Sequence, residues 1–289
     1  ATLINMESIA LPTPSKHQTT KASFVDSVTR SPSFCFEGTQ FDYDPFPIGY
    51  MKNVLSDDIY QQVVEQYPAL ELFSFMPKLG KKYSLSEVNN AEQYHRFIQT
   101  TPVWKRLHDE VKSPEFVHRI FKLLNIAQID LGISKRVEVI NDPRAAKLFR
   151  WSAAWELWKT GAVKRLPIKT RFEFSMLPAD GGHIRPHTDS PNKLITLVVS
   201  CMKNGEWNAG FGGGTTVLKP KDVKKTFNHT NKYLEFEETE ELKCFPFTPN
   251  QCVIFVKTFN SLHAVSPMTG QGSSLMRKTL TINIETPAV

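Results

Sequence analysis

Two distant stretches of this chain have to lie side by side if three of its residues are to meet, and that requirement limits the fold more than any other feature. His187, Thr188 and Asp189 form a His-x-Asp triplet within Ile184-Arg185-Pro186-His187-Thr188-Asp189. On an extended strand, residues two apart point to the same side, so the imidazole and the carboxylate arrive together while Thr188 points away. A second imidazole, His263, sits near the end of Val253-Ile254-Phe255-Val256-Lys257-Thr258-Phe259-Asn260-Ser261-Leu262-His263-Ala264-Val265, which reads as the strand that carries it. Between them lie an apolar strand (residues 194–201), a glycine-rich turn (210–214), a further strand (215–218) and a polar excursion (219–241). That is enough chain to fold His263 back beside the triplet. Two imidazoles and one carboxylate so placed fill one face of an octahedral iron(II) and leave three positions open. A His-x-Asp pair alone is weak in 289 residues with eight histidines; on its own it reads as a solvated turn.

A further element follows. Arg277-Lys278-Thr279-Leu280-Thr281-Ile282-Asn283-Ile284 alternates, with Arg277, Thr279 and Thr281 on one face and Leu280, Ile282 and Ile284 on the other. A guanidinium there can grip a dicarboxylate through two parallel charge-assisted hydrogen bonds, which a lysine does less rigidly. Lys278, the neighbouring cation, falls on the wrong face by parity. In order, His-x-Asp, Gly-Gly-x-Thr, His and Arg-x-Thr-x-Thr make residues 171–285 resemble the iron(II)- and 2-oxoglutarate-dependent dioxygenases, in particular their prolyl-hydroxylase-like branch.

The resemblance implies a fold and a chemistry. The fold is α+β and mainly β: a double-stranded β-helix, or jelly roll, with N-terminal helices packed outside. The cofactors are Fe(II) and 2-oxoglutarate, with ascorbate as reductant and O₂ as co-reactant. His187, Asp189 and His263 match the metal ligands, and Arg277 matches the residue on the far carboxylate of 2-oxoglutarate. Thr279 stands where its hydroxyl assists, and Ser200 occupies the position where prolyl hydroxylases often carry a tyrosine. The interval from His263 to Arg277 is longer than usual and reads as an enlarged loop. Because Asp189 is a carboxylate, halogenation is excluded; hydroxylation, desaturation or oxidative ring closure remains.

Parity also suggests a substrate. Arg171, Glu173 and Ser175 alternate with Phe172, Phe174 and Met176, so one face is polar and faces the barrel interior if the apolar face packs under helices. Arg185, two before His187, shares the ligand face. The expectation is a small carboxylated, amino-acid-derived substrate with Arg185 or Arg171 on its carboxylate, Glu173 on its ammonium, and Asn192 adding an amide contact. Hydroxylation of a protein side chain such as proline is the alternative. Nucleic-acid demethylation is disfavoured, since that group carries an arginine where this chain has Asn283. A non-catalytic jelly-roll binding protein is disfavoured too, because the ligand positions and the arginine are all present.

The rest of the chain reads as support. Residues 1–40 are rich in Ser, Thr and Pro and read as an arm or lid; 41–165 read as a helical support region; 166–289 read as the catalytic core. Ser56, Thr101-Pro102 and Ser113-Pro114 look like helix starts. A further helix over 144–159 carries Trp151, Trp155 and Trp158 at helical spacing, more in keeping with a core seam than a substrate clamp. The net charge of +6 is scattered in pairs such as Lys81-Lys82, without the stripe that nucleic acid requires. No apolar stretch is long enough to span a bilayer, and the four cysteines show no metal-type spacing. A cytoplasmic, soluble enzyme is expected.

Overall fold

The computed structural model describes residues 30–131, 137–141, 166–230 and 232–286. The tryptophan-bearing helix expected over 144–159 lies outside them. Four α-helices and thirteen strands fall within the described residues.

The strands form two sheets. In the larger, the order is β1 (Gln40–Asp42), β2 (Ile48–Lys52), β11 (Gln251–Val256), β8 (Lys193–Ser200), β13 (Met276–Glu285), β6 (Leu166–Pro178), β4 (Lys82–Ser86) and β3 (Ser74–Met76). These neighbours are all antiparallel, whereas β5 (Val137–Val139) pairs with β6 in parallel. The smaller sheet runs β10 (Thr239–Phe245), β9 (Thr215–Pro220), β12 (His263–Val265) and β7 (Ile184–His187), antiparallel throughout. The sheets meet through Phe46, Ile48, Val253 and Phe255 on one side and Val217 and Phe245 on the other.

Alternation along β6 and β13 sets the outer face of the larger sheet. Phe172, Phe174, Met176, Leu280, Ile282 and Ile284 are buried in one core with the helices, as the two-residue period requires. The helices are α1 (Asp57–Glu65), α2 (Ala91–Thr100), α3 (Pro102–Lys112) and α4 (Pro114–Ile126). Trp104 of α3 is fully buried, 4.7 Å edge-on from Phe174, and its indole N–H donates to Gln66 O at 2.7 Å. Burying such a ring contributes roughly 2–3 kcal/mol relative to leaving it in water. Ser113 caps α4 as its sequence suggests, accepting from Phe116 N at 3.2 Å. Ser56 and Thr101 precede their helices without a side-chain cap; the Ser56 hydroxyl turns instead to Asp58.

Several expectations change. Helix α2 carries no Pro or Ser start signal and was not anticipated. Residues 41–165 contribute β1 to β5 as well as helices, because β2 and β4 complete the larger sheet on either flank. Within the segment read as an arm, Phe34 and Phe36 are buried against Phe116 of α4. The long run around His263 is two strands in different sheets. Thr258, Asn260 and Ser261 break it, with Ser261 Oγ donating to Thr258 O at 2.8 Å and accepting from Thr258 N at 3.2 Å in a local turn.

Candidate metal centre and its cavity

β12 runs antiparallel beside β7 with His263 directly opposite His187, and their ring centroids lie 4.4 Å apart. Asp189 joins them by a route that strand parity does not describe. β7 ends at His187, and Asp189 adopts φ +66°, a left-handed conformation that Asp tolerates better than most residues. The carboxylate is thus turned back toward the imidazoles by the backbone after the strand, which corrects the expectation of an extended triplet. One ligand atom from each of His187, Asp189 and His263 lies within 4.8 Å of the others. His187 Nε2 is 3.5 Å from Asp189 Oδ1, and His263 Nε2 is 4.0 Å from Asp189 Oδ2.

Hydrogen bonding fixes which nitrogens face inward. Nδ1 of His187 lies 2.8 Å from Arg185 O, and Nδ1 of His263 lies 2.9 Å from Ser261 O. Only a protonated Nδ1 can serve a carbonyl, so each Nε2 presents its lone pair to the space beside Asp189. Burial pushes His263 down to about 3, so it is neutral. Burial works against ionisation of Asp189, yet the Lys193 ammonium beside it holds its carboxyl well below the usual range. Two lone pairs and an anion converging on one point suit a divalent cation, and the backbone carbonyls behind the imidazoles supply the orientation that metal-bound histidines need.

Residues of both sheets enclose a cavity of about 200 Å³ at this point. Arg277 lines it at 4 % exposure, with Nε donating to Gly213 O at 2.6 Å and the guanidinium lying 4.3 Å over the Phe247 ring. Burial lowers it to about 10, which still leaves a full cation at neutral pH. No carboxylate among the described residues pairs with it. Thr279 and Thr281 line the same cavity, while Lys278 points away to Glu206 at 3.1 Å. Ser200 does not line it; its hydroxyl is buried on the strand beside Thr279.

The expected substrate residues divide. Arg185 lines the cavity, paired with Glu235 at 2.9 Å and lying 4.8 Å over the Tyr233 ring. Arg171, Glu173 and Asn192 do not. Glu173 is enclosed by Lys82 at 2.6 Å, Arg171 at 2.8 Å and Ser84 at 2.9 Å, an internal network that satisfies its charge. Asn192 contributes only its backbone carbonyl, to Thr286.

Other lining residues were not foreseen. Lys193 donates to Asp189 Oδ1 at 2.7 Å, and Thr196 Oγ1 lies 3.3 Å from Oδ2. Phe255 stacks on His263 at 4.3 Å, and Tyr233 lies 5.7 Å from His187. Lys78, Leu79 and Lys82 enter from the N-terminal part. A signal existed for Lys193, which sits four residues after Asp189 beyond Ser190-Pro191, a turn that brings the chain back. None existed for Lys78.

No protein-family model and no curated protein matches the chain. Among solved structures it is similar to a prolyl hydroxylase from Trichoplax adhaerens in complex with a hypoxia inducible factor oxygen degradation domain peptide fragment, at 12% identity and TM-score 0.45, over 95% of this chain and 94% of that one. A prolyl-4-hydroxylase from Pseudomonas putida is similar at 12% identity and TM-score 0.42, over 85% and 95%. HygX from Streptomyces hygroscopicus, with nickel and 2-oxoglutarate bound, is similar at 8% identity and TM-score 0.44, over 84% of each chain.

Proposed function

We propose that the chain is an iron(II)- and 2-oxoglutarate-dependent oxygenase that oxidises a C–H bond of a small molecule and releases succinate and CO₂. Nε2 of His187, the Asp189 carboxylate and Nε2 of His263 hold the metal; Arg277, with Thr279 beside it, holds the far carboxylate of 2-oxoglutarate. The strand orders β11-β8-β13-β6 and β10-β9-β12-β7 support reading the two sheets as the walls of a double-stranded β-helix. On this reading residues 166–289 are the catalytic core and 41–165 its support, to which Phe34 and Phe36 are fastened.

When bound, iron and 2-oxoglutarate would supply the activation of O₂ for attack on the substrate, O₂ being the oxidant and 2-oxoglutarate the co-reductant. The protein's own groups supply geometry and dryness. Arg185 O and Ser261 O orient the imidazoles, Lys193 and Thr196 steady the carboxylate, and the Phe255 and Tyr233 rings shield the imidazoles from water. No side chain is required to move a proton.

One observation carries the reading: a buried guanidinium without a carboxylate partner among the described residues shares a cavity with three convergent metal-ligand atoms. A buried cation is costly unless an anion meets it. The test is succinate formation from 2-oxoglutarate with iron and ascorbate, run with a substrate panel followed by mass shift. Absence of 2-oxoglutarate turnover across the panel, together with absence of 2-oxoglutarate binding to metal-loaded protein, would sink it.

A further inference from the structure

Five cations line the cavity: Lys78, Lys82, Arg185, Lys193 and Arg277. Three are already matched to carboxylates, Lys82 to Glu173, Arg185 to Glu235 and Lys193 to Asp189. Arg277 is the proposed anchor of 2-oxoglutarate. That leaves Lys78, exposed at the mouth, with no carboxylate partner among the described residues. Among the described residues Asp189 is the only acidic side chain in the lining, and it is matched to Lys193, so no carboxylate there is free to receive a substrate ammonium.

Lys78 does not hang on a loose loop. It lies on the turn Pro77–Leu79, which ends at Gly80 with φ +71°. A Cβ at Gly80 would sit 2.0 Å from His183 O, and Gly80 O accepts from His183 N at 3.1 Å, so this turn is locked onto the segment that leads into β7. Lys81 Nζ adds a bond to Asp180 O at 3.2 Å. Beyond Lys78 the lining turns apolar, with Leu79, Leu177, Ile184 and Val265.

Resting on the oxygenase reading above, we propose that Lys78 is a specificity-determining residue that binds an anionic group, a carboxylate or phosphate, at one end of a substrate whose apolar body lies along Leu79, Leu177, Ile184 and Val265. The substrate class is therefore an amphiphilic acid and not a zwitterion. The Gly80–His183 lock sets the distance between that anion and the metal centre.

The test uses full-length protein loaded with zinc in place of iron and with 2-oxoglutarate, so that binding is read without turnover. Saturation-transfer NMR compares matched pairs of small aliphatic and aryl compounds: monocarboxylates against their primary amides, and monophosphates against the parent alcohols. The acids should bind in preference to their neutral partners; Lys78→Gln should weaken acid binding by about fivefold and leave the amides unchanged, and Lys78→Arg should restore it. Gly80→Ala should erase the acid preference while 2-oxoglutarate still binds, the mark of a positioning role. Equal binding of acid and neutral partner, an undiminished preference in Lys78→Gln, or binding of no member of any pair overturns the proposal. Preference for phosphates over carboxylates, or the reverse, identifies the anion. The zinc-dependent 2-oxoglutarate signal in the same samples tests the underlying reading separately: its absence sinks both, and its presence without an acid preference sinks only this one.

Discussion

Arg277 of β13 and Gly213, in the turn before β9, are joined by a 2.6 Å hydrogen bond from the guanidinium Nε to the glycine carbonyl, which fixes the fork of the arginine toward the cavity. Gly213 has φ +85°, and a Cβ there would meet Met268 Sδ at 3.1 Å, Trp207 Cζ2 at 3.2 Å and Arg277 Cδ at 3.3 Å. Gly213→Ala is therefore expected to lower stability by about 1–2 kcal/mol through the left-handed backbone alone, and to weaken 2-oxoglutarate binding by displacing the arginine. Denaturant midpoints and calorimetric titration of 2-oxoglutarate into metal-loaded protein measure both; unchanged affinity would show that Gly213 does not aim Arg277.

Arg277→Lys should raise the KM for 2-oxoglutarate by about tenfold or more, the value of one lost charge-assisted hydrogen bond in a buried site, with metal affinity nearly unaltered. Lys278→Ala should leave that KM alone, since Lys278 faces Glu206 outside the cavity. The reverse pattern would assign the anchor to the wrong neighbour.

Single alanine substitutions of His187, Asp189 and His263 should each abolish turnover and cut metal affinity sharply, because a three-ligand site has no spare donor. Asp189→Ala should also lose stability, since it leaves the Lys193 ammonium without its carboxylate. Circular dichroism separates loss of metal from loss of fold. A fully active variant at any of the three positions contradicts the assignment.

Glu173 gives a pH signature away from the metal. Burial alone would raise its pKa, but Lys82 and Arg171 bring it down to about 2 from 4.5. A carboxyl whose folded pKa is depressed stabilises the fold above its unfolded value and loses that contribution as pH falls through the folded one, here between about 4.5 and 2. The shift corresponds to roughly 3 kcal/mol at neutral pH. Glu173→Gln should cost about that much at pH 7 and little at pH 2, read from urea midpoints; a deficit that does not shrink with acid would mean the loss is packing and not charge.

The convergence of His187, Asp189 and His263 and the facing of Arg277 were legible because the chemistry sits in short motifs, and β13 keeps strict alternation from Arg277 to Ile284. The backbone turn at Asp189 was not, since nothing in His-x-Asp distinguishes an extended residue from a left-handed one. Lys78, Lys82 and Tyr233 escaped notice because each reaches the cavity from a segment without a motif, by tertiary packing. Parity correctly put Arg171 and Glu173 on the inner side of β6, but it cannot tell a cavity wall from a closed network, and Lys82 and Ser84 on β4 close that network.

The strand that carries His187 is the last in its sheet, and such edges invite pairing with other chains. β7 is only four residues long and contains Pro186, which has no N–H to offer, while the Pro186 carbonyl is occupied by Leu234 N at 3.0 Å from the excursion between β9 and β10. The excursion therefore shields the molecule from self-association at the very strand where it exposes its chemistry. Shortening it would open that edge to pairing with other copies, and would also take Tyr233 away from the cavity and Glu235 away from Arg185.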